Sequence, residues 1–172
     1  MVSGRPEKLL QIARELASNI DDFQTVLGPG KGNRATNEFM TRLGEQASEL
    51  FGTEVREQKI CGNNSLTVDF YFDREATIVE VALGLSNPGS EFEKDVLKAI
   101  MAQANRIKVD RLFFISRPGA EKRCRQPGRK AVADWLERSH GIRIEVHELE
   151  GEPRRRRKRR IPQTKSDKTT IP

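Results

Sequence analysis

Leu9, Ile12, Ala13, Leu16, Ile20 and Phe23 recur at helical spacing behind Pro6, which predicts an amphipathic helix over residues 6–23. Such a helix packs on its own domain or on a second copy of it. Gly28-Pro29-Gly30-Lys31-Gly32 interrupts the pattern, and Phe39, Leu43, Ala47 and Leu50 then predict a second amphipathic helix over 35–51, stopped by Gly52. From there the period shortens to two. Residues 55–61, 65–72 and 76–83 alternate in polarity, are rich in β-branched and aromatic side chains, and are separated by Gly62-Asn63-Asn64 and Asp73-Arg74-Glu75. They predict an antiparallel meander of three strands. Ser90 and Glu93 form a capping-box pattern ahead of Phe92, Val96, Ala99, Ile100 and Ala104, the mark of a third helix. Leu112-Phe113-Phe114-Ile115 is apolar on both faces, as a central strand covered by helices on both sides must be. A basic loop over 117–130 leads to a helix carrying Val132, Trp135 and Leu136, and Ile142, Ile144 and Val146 alternate as a last strand. The expected fold is α/β, with a central mixed sheet flanked by helices.

The two middle strands carry candidate chemistry. If 73–76 is a four-residue hairpin loop, Phe72 pairs with Thr77, and three further steps along each strand set Asp69 opposite Glu80 on one face. Directly paired Cβ atoms lie roughly 4.5–5.5 Å apart, so two carboxylates there repel unless a cation intervenes. A hard divalent ion with oxygen ligands at about 2.0–2.1 Å bridges such a pair. Leu66, Val68, Phe70 and Phe72 point away from Asp69, and Glu80 sits inside Ile78-Val79-Glu80-Val81-Ala82-Leu83. A carboxylate in such company is paired, hydrogen-bonded or liganding. Two readings stand side by side: a magnesium site, or two acids satisfied by neighbouring Arg or Lys.

Charge divides the chain. Its 31 Lys and Arg against 25 Asp and Glu give a net +6 over 172 residues. The run Arg154, Arg155, Arg156, Arg157, Lys158, Arg159 and Arg160, with Lys165 and Lys168, is opposed after Pro153 only by Asp167, leaving residues 1–152 at a net −2. The organisation expected is an N-terminal helix and glycine-rich loop (1–34), one folded domain (35–150) and a basic tail (151–172) without hydrophobic periodicity, too polar to offset the entropy of ordering and so disordered. No run approaches the length of a membrane span, and Glu7 and Lys8 break any secretory leader, which points to a cytoplasmic protein. Cys61 and Cys124 are too few for a disulfide framework and lack zinc spacing.

The order of elements, with Asp69 on the second meander strand and Glu80 on the third, resembles the restriction-endonuclease-like, or PD-(D/E)XK, nuclease superfamily. The stretch Ser65-Leu-Thr-Val-Asp69-Phe-Tyr-Phe-Asp-Arg-Glu-Ala-Thr-Ile-Val-Glu80-Val-Ala82-Leu carries the likeness, followed by Phe92-Glu-Lys-Asp95-Val and Val109-Asp-Arg-Leu-Phe-Phe-Ile115. It is most similar to type II restriction enzymes with a "VDF…VEV" motif, and covers about residues 35–116. The resemblance implies that Asp69 and Glu80 ligate Mg²⁺, with no small-molecule cofactor, and that position 82 supplies a third catalytic group. That position is Lys in most of the superfamily and Glu or Gln in the restriction-enzyme subgroup, whereas here it is Ala82. Gln58, Lys59 and Lys94 are the candidate substitutes.

The function so implied is Mg²⁺-dependent DNA endonuclease activity of restriction or defence type, with a homodimer joined through the 6–23 helix to cut both strands. The alternative is a nuclease-like fold that has lost catalysis and serves as a DNA-binding or assembly module. A third class, a protein-interaction module, rests only on the net −2 of the folded part. Candidate phosphate contacts are Lys31 and Arg34, the cluster Arg117, Lys122, Arg123, Arg125, Arg129 and Lys130, and the tail from Arg154 to Arg160, whose charges favour salt-dependent, sequence-independent binding. Glu38, Glu45 and Glu49 on the second helix face away from Phe39 and Leu43 and read as solvated surface. Cys124 has no nearby His to activate it, and His140 and His147 lack a third ligand.

Overall fold

The computed structural model describes residues 4–24 and 34–150. The glycine-rich loop with Lys31, and the basic tail with Arg154 to Arg160, lie outside the described residues. Helix α1 spans Arg5–Asn19 and α2 Arg34–Phe51. Gly52 follows with φ at 91°, a left-handed conformation that costs glycine little and turns the chain into a short 3₁₀ segment, Thr53–Val55. Five strands follow, β1 Arg56–Gln58, β2 Val68–Phe72, β3 Thr77–Glu80, β4 Arg111–Ser116 and β5 Arg143–Glu148. Helix α3 (Phe92–Ala104) connects β3 to β4, and α4 (Ala120–Cys124) with α5 (Pro127–His140) connects β4 to β5.

The strands lie in chain order, β1-β2-β3-β4-β5, in one sheet. β1, β2 and β3 form the expected antiparallel meander, while β4 and β5 add in parallel through helical crossovers. Helices cover both faces. On one, Leu9, Leu16, Phe39 and Leu43 from α1 and α2 pack on Phe70, Phe72, Val79, Phe113 and Ile115. On the other, Phe92, Val96 and Ala99 of α3 and Leu136 of α5 pack on Ile78, Leu112 and Phe114. Phe113 and Phe114 are both fully buried on opposite faces of β4, each worth roughly 1.5–3 kcal/mol of burial. The described chain is thus an α/β fold with a five-stranded mixed sheet between two helical layers. None of its helices is long and apolar enough to cross a membrane.

The first helix uses its apolar stripe on its own core, where Leu9, Leu10, Ala13, Leu16 and Ala17 are buried, one of the two packings its pattern allows. Three sequence expectations change. β1 is only three residues long, because Asn64 Nδ2 donates to Cys61 O at 2.8 Å and Asn64 Oδ1 accepts from Leu66 N at 2.8 Å, a side-chain-directed turn that draws 61–66 off the sheet. The Ser90–Glu93 capping box does not form: Glu91 stands at the N-cap of α3 with no side-chain cap, and Ser90 Oγ is bonded by Arg129 instead. The basic loop 117–130 is largely helical, containing α4 and the first turn of α5, where Pro127 opens the helix. Trp135 of α5 is 44% exposed and contributes little to the core.

Candidate active site

The β2–β3 hairpin sets the site. Its observed register pairs Phe72 with Thr77, Tyr71 with Ile78 and Phe70 with Val79, and one further step brings Asp69 opposite Glu80. The tip is held from outside the sheet. Arg5 of α1 reaches Asp73 at 2.7 Å and Glu75 at 2.7 Å, and these contacts hold both carboxyls below the usual carboxylate range. Asp69 then ends the β3 ladder: its Oδ2 accepts the Val81 N–H at 2.7 Å, a donor that a longer strand would have given to a backbone carbonyl. The strand therefore stops at Glu80 rather than running to Leu83. Ala82 turns away, its carbonyl accepting from Ser116 Oγ at 2.6 Å.

Helix α3 supplies the rest. Asp95 and Lys98, one turn apart, sit on the inward stripe with Phe92, Val96 and Ala99. Lys98 Nζ lies 2.8 Å from Asp95 Oδ1 and 3.1 Å from Glu80 Oε1, bridging helix and strand. Glu80, Asp95 and Lys98 are only 3%, 4% and 7% exposed, an unusual burial for charged side chains. Burial, with the negative charges of Asp69 and Asp95, pushes the Glu80 carboxyl up to about 9. Burial raises Asp95 as well, against the opposing pull of Lys98. Burial alone would depress the Lys98 ammonium, but its contacts with Asp95 and Glu80 outweigh that and raise it. Two acids share one cation, while Asp69 takes the Val81 N–H instead.

These groups line a cleft of about 400 Å³, together with Met40 of α2, Val81, Ala82 and the loop residues Gly84, Leu85, Asn87, Gly89, Ser90 and Glu91. Arg129 fixes that loop from behind. Buried on the inner side of the first turn of α5, it donates to Leu85 O, to Asn87 O at 3.3 Å and to Ser90 Oγ, with its guanidinium 4.9 Å over the Phe92 ring.

The other sequence candidates are dispersed. Gln58 donates to Arg56 O on its own strand, Lys59 is exposed, and Lys94 points outward to Glu91 at 3.0 Å; none lines the cleft. Of the basic cluster, Arg117 and Arg129 are structural. Arg117 donates to Phe23 O at 3.1 Å and Thr36 Oγ1 at 2.8 Å, stitching the end of the first helical segment to α2. Burial lowers its pKa. Arg123 bonds Gln126 Oε1, Arg125 pairs with Glu121, and Lys130 with Asp134 at 2.6 Å, while Lys122 and Arg34 are exposed. Glu38, Glu45 and Glu49 are exposed, as expected, and Cys61 and Cys124 are free thiols.

Sequence reasoning missed Lys98. It assigned no role to Asp95, and read Arg129 as a phosphate contact. A signal existed for the first two: an Asp and a Lys interrupting the apolar stripe of α3 needed a partner on the sheet, and the sheet face beneath them held Asp69 and Glu80. Among the described residues no group of three or more His, Cys, Asp or Glu side chains is arranged to hold a metal ion. Among the described contacts of the three acids, Asp69 Oδ2, Glu80 Oε1 and Asp95 Oδ1 are taken up, which leaves Asp69 Oδ1, Glu80 Oε2 and Asp95 Oδ2. No known protein family, curated protein or solved structure matches the chain.

Proposed function

We propose that the cleft hydrolyses DNA phosphodiester bonds with Mg²⁺, as a restriction-endonuclease-like enzyme. The observation that carries this reading is the register that sets Asp69 against Glu80 at the open cleft, with a buried ammonium beside Glu80 where Ala82 offers nothing. The donor set suits a hard cation: two paired carboxylates with an oxygen each to give, in surroundings that leave negative charge in excess. Asp69 and Glu80 would hold the ion, which when bound supplies Lewis-acid polarisation of the phosphate and acidifies water.

The protein's own groups do the remainder. Val81 N–H orients Asp69, and Lys98 provides a fixed positive charge next to Glu80, a preorganised counter to charge that grows on phosphate oxygens. In the reaction the water oxygen bonds to phosphorus, the bond to the 3′ oxygen breaks, one water proton ends on that oxygen and the other leaves to solvent. Exposed Arg34 and Lys122, and the cationic sequence after Pro153, supply sequence-independent attraction for the duplex.

Incubation of supercoiled plasmid with the protein and Mg²⁺, beside Asp69→Asn and Lys98→Met, tests the reading. Nicking or linearisation by the wild type, lost in Asp69→Asn, is expected; no cleavage, or equal cleavage by that variant, rejects it. Ala82 favours one second reading, a fold without catalysis that binds DNA. It predicts salt-sensitive binding in a gel-shift assay that survives Glu80→Ala and weakens when residues 153–172 are removed. Unchanged binding after that truncation would refute the tail's part in it.

A further inference from the structure

Three carboxylates and one ammonium line the same cleft, so Asp69, Glu80 and Asp95 in their ionised forms carry three negative charges against the single positive charge of Lys98. A surface cluster would settle that imbalance with loosely held counter-ions. Glu80, Asp95 and Lys98 are almost closed to water, where an uncompensated charge is far more costly. One divalent cation makes the group neutral; a second would leave it with two positive charges. The contacts agree with the arithmetic. Lys98 takes up Asp95 Oδ1 at 2.8 Å and Glu80 Oε1 at 3.1 Å, and Val81 N–H takes up Asp69 Oδ2 at 2.7 Å. Asp69 Oδ1, Glu80 Oε2 and Asp95 Oδ2 remain; the first two come one from each member of the hairpin pair, whereas Asp95 holds the shorter of the two Lys98 contacts, and Glu80 is 3% exposed while still lining the cleft.

We infer that Lys98 is a built-in second cation: held by Asp95, it limits the cleft to one divalent ion in the nucleic-acid-free protein, bound by Asp69 and Glu80. Asp95 then positions Lys98 and does not touch the ion. The inference rests on the metal-binding part of the proposed function, and goes beyond it in fixing the number of ions and the work of two residues on α3.

The test counts ions without relying on turnover. Mn²⁺ binding to the full chain is measured by the electron paramagnetic resonance signal of the free ion, and Mg²⁺ binding by calorimetry, for wild type, Asp69→Asn, Lys98→Met and Asp95→Asn. Wild type should bind one ion that Asp69→Asn abolishes. Lys98→Met should bind that ion at least tenfold more tightly or take a second. Asp95→Asn, which leaves Lys98 with Glu80 as its only partner, should bind at least tenfold more weakly, and serves if Lys98→Met does not fold. Two ions removed by Asp69→Asn in the wild type, or unchanged number and affinity in either α3 variant, overturns the inference. If the count fails while plasmid cleavage still requires Asp69, the nuclease reading stands and this one falls. If Asp69→Asn removes no ion, both fall.

Discussion

Replacing Glu80 by Gln tests whether the cleft stores electrostatic stress. Glu80 is 3% exposed, and its carboxyl titrates at about 9 in the fold against an ordinary 4.5. Because the folded value is the higher one, the unfolded chain releases this proton first, and stability present below pH 4.5 is lost as pH climbs toward 9. At 1.36 kcal/mol per pH unit, the loss over the 2.5 units from 4.5 to pH 7 is about 3 kcal/mol. Gln carries no charge yet keeps an oxygen that can accept from Lys98, so Glu80→Gln removes the loss without emptying the site. Urea unfolding in EDTA at pH 5, 7 and 8.5 should show near-equal stabilities at pH 5 and a widening advantage for the variant above it. At pH 7 that advantage corresponds to a Tm higher by about 6–12 °C for a chain of this size. A variant no more stable than wild type at pH 8.5 would refute the reasoning, since Glu80 would then be comfortably ionised between its neighbours.

Arg129→Met should cost about 2–4 kcal/mol, because it leaves the Leu85 and Asn87 carbonyls and the Ser90 hydroxyl without their donor, and should raise amide exchange across 84–90; a loss below about 0.5 kcal/mol would show the loop holds itself. Arg5→Ala should cost about 0.5–1.5 kcal/mol at pH 7, less than a buried pair because Asp73 is 73% exposed. Since the folded pKa values of Asp73 and Glu75 are depressed, that deficit should shrink as pH falls below the ordinary carboxylate range; a deficit constant from pH 7 to pH 3 would assign it to packing on Phe72 instead. Removing Mg²⁺ with EDTA should lower the Tm of wild type and leave that of Asp69→Asn unmoved, which differential scanning fluorimetry can read.

The parts of the fold and site visible in the sequence are those governed by local rules. The period of Leu9, Ala13 and Leu16 and that of Phe39, Leu43 and Ala47 mark helices whose apolar stripes do face the sheet. The four-residue loop after Phe72 set the hairpin register, and with it the Asp69–Glu80 pairing, because nothing distant competes with a short turn. Failures came where a side chain far along the chain intervened. Ser90 lost its capping role to Arg129, 39 residues away, and 61–66 left the sheet through the Asn64 turn. Lys98 became part of the site only through the rotation of α3 over the strands, which no spacing in the sequence specifies, whereas Lys94, one turn earlier, faces solvent.

Strand order and chain order coincide, so every strand emerges beside a neighbour already made. The ionisable groups of the cleft all lie between Asp69 and Lys98, a contiguous stretch that closes through short loops. What shuts water away from them is encoded later, in Phe114 beside Glu80 and in Arg129 behind the cleft wall. Proximity therefore comes first and dryness second. While the chain is open these acids are hydrated and tolerant of one another, and their conflict belongs to the finished fold, where sheet and helices close around them.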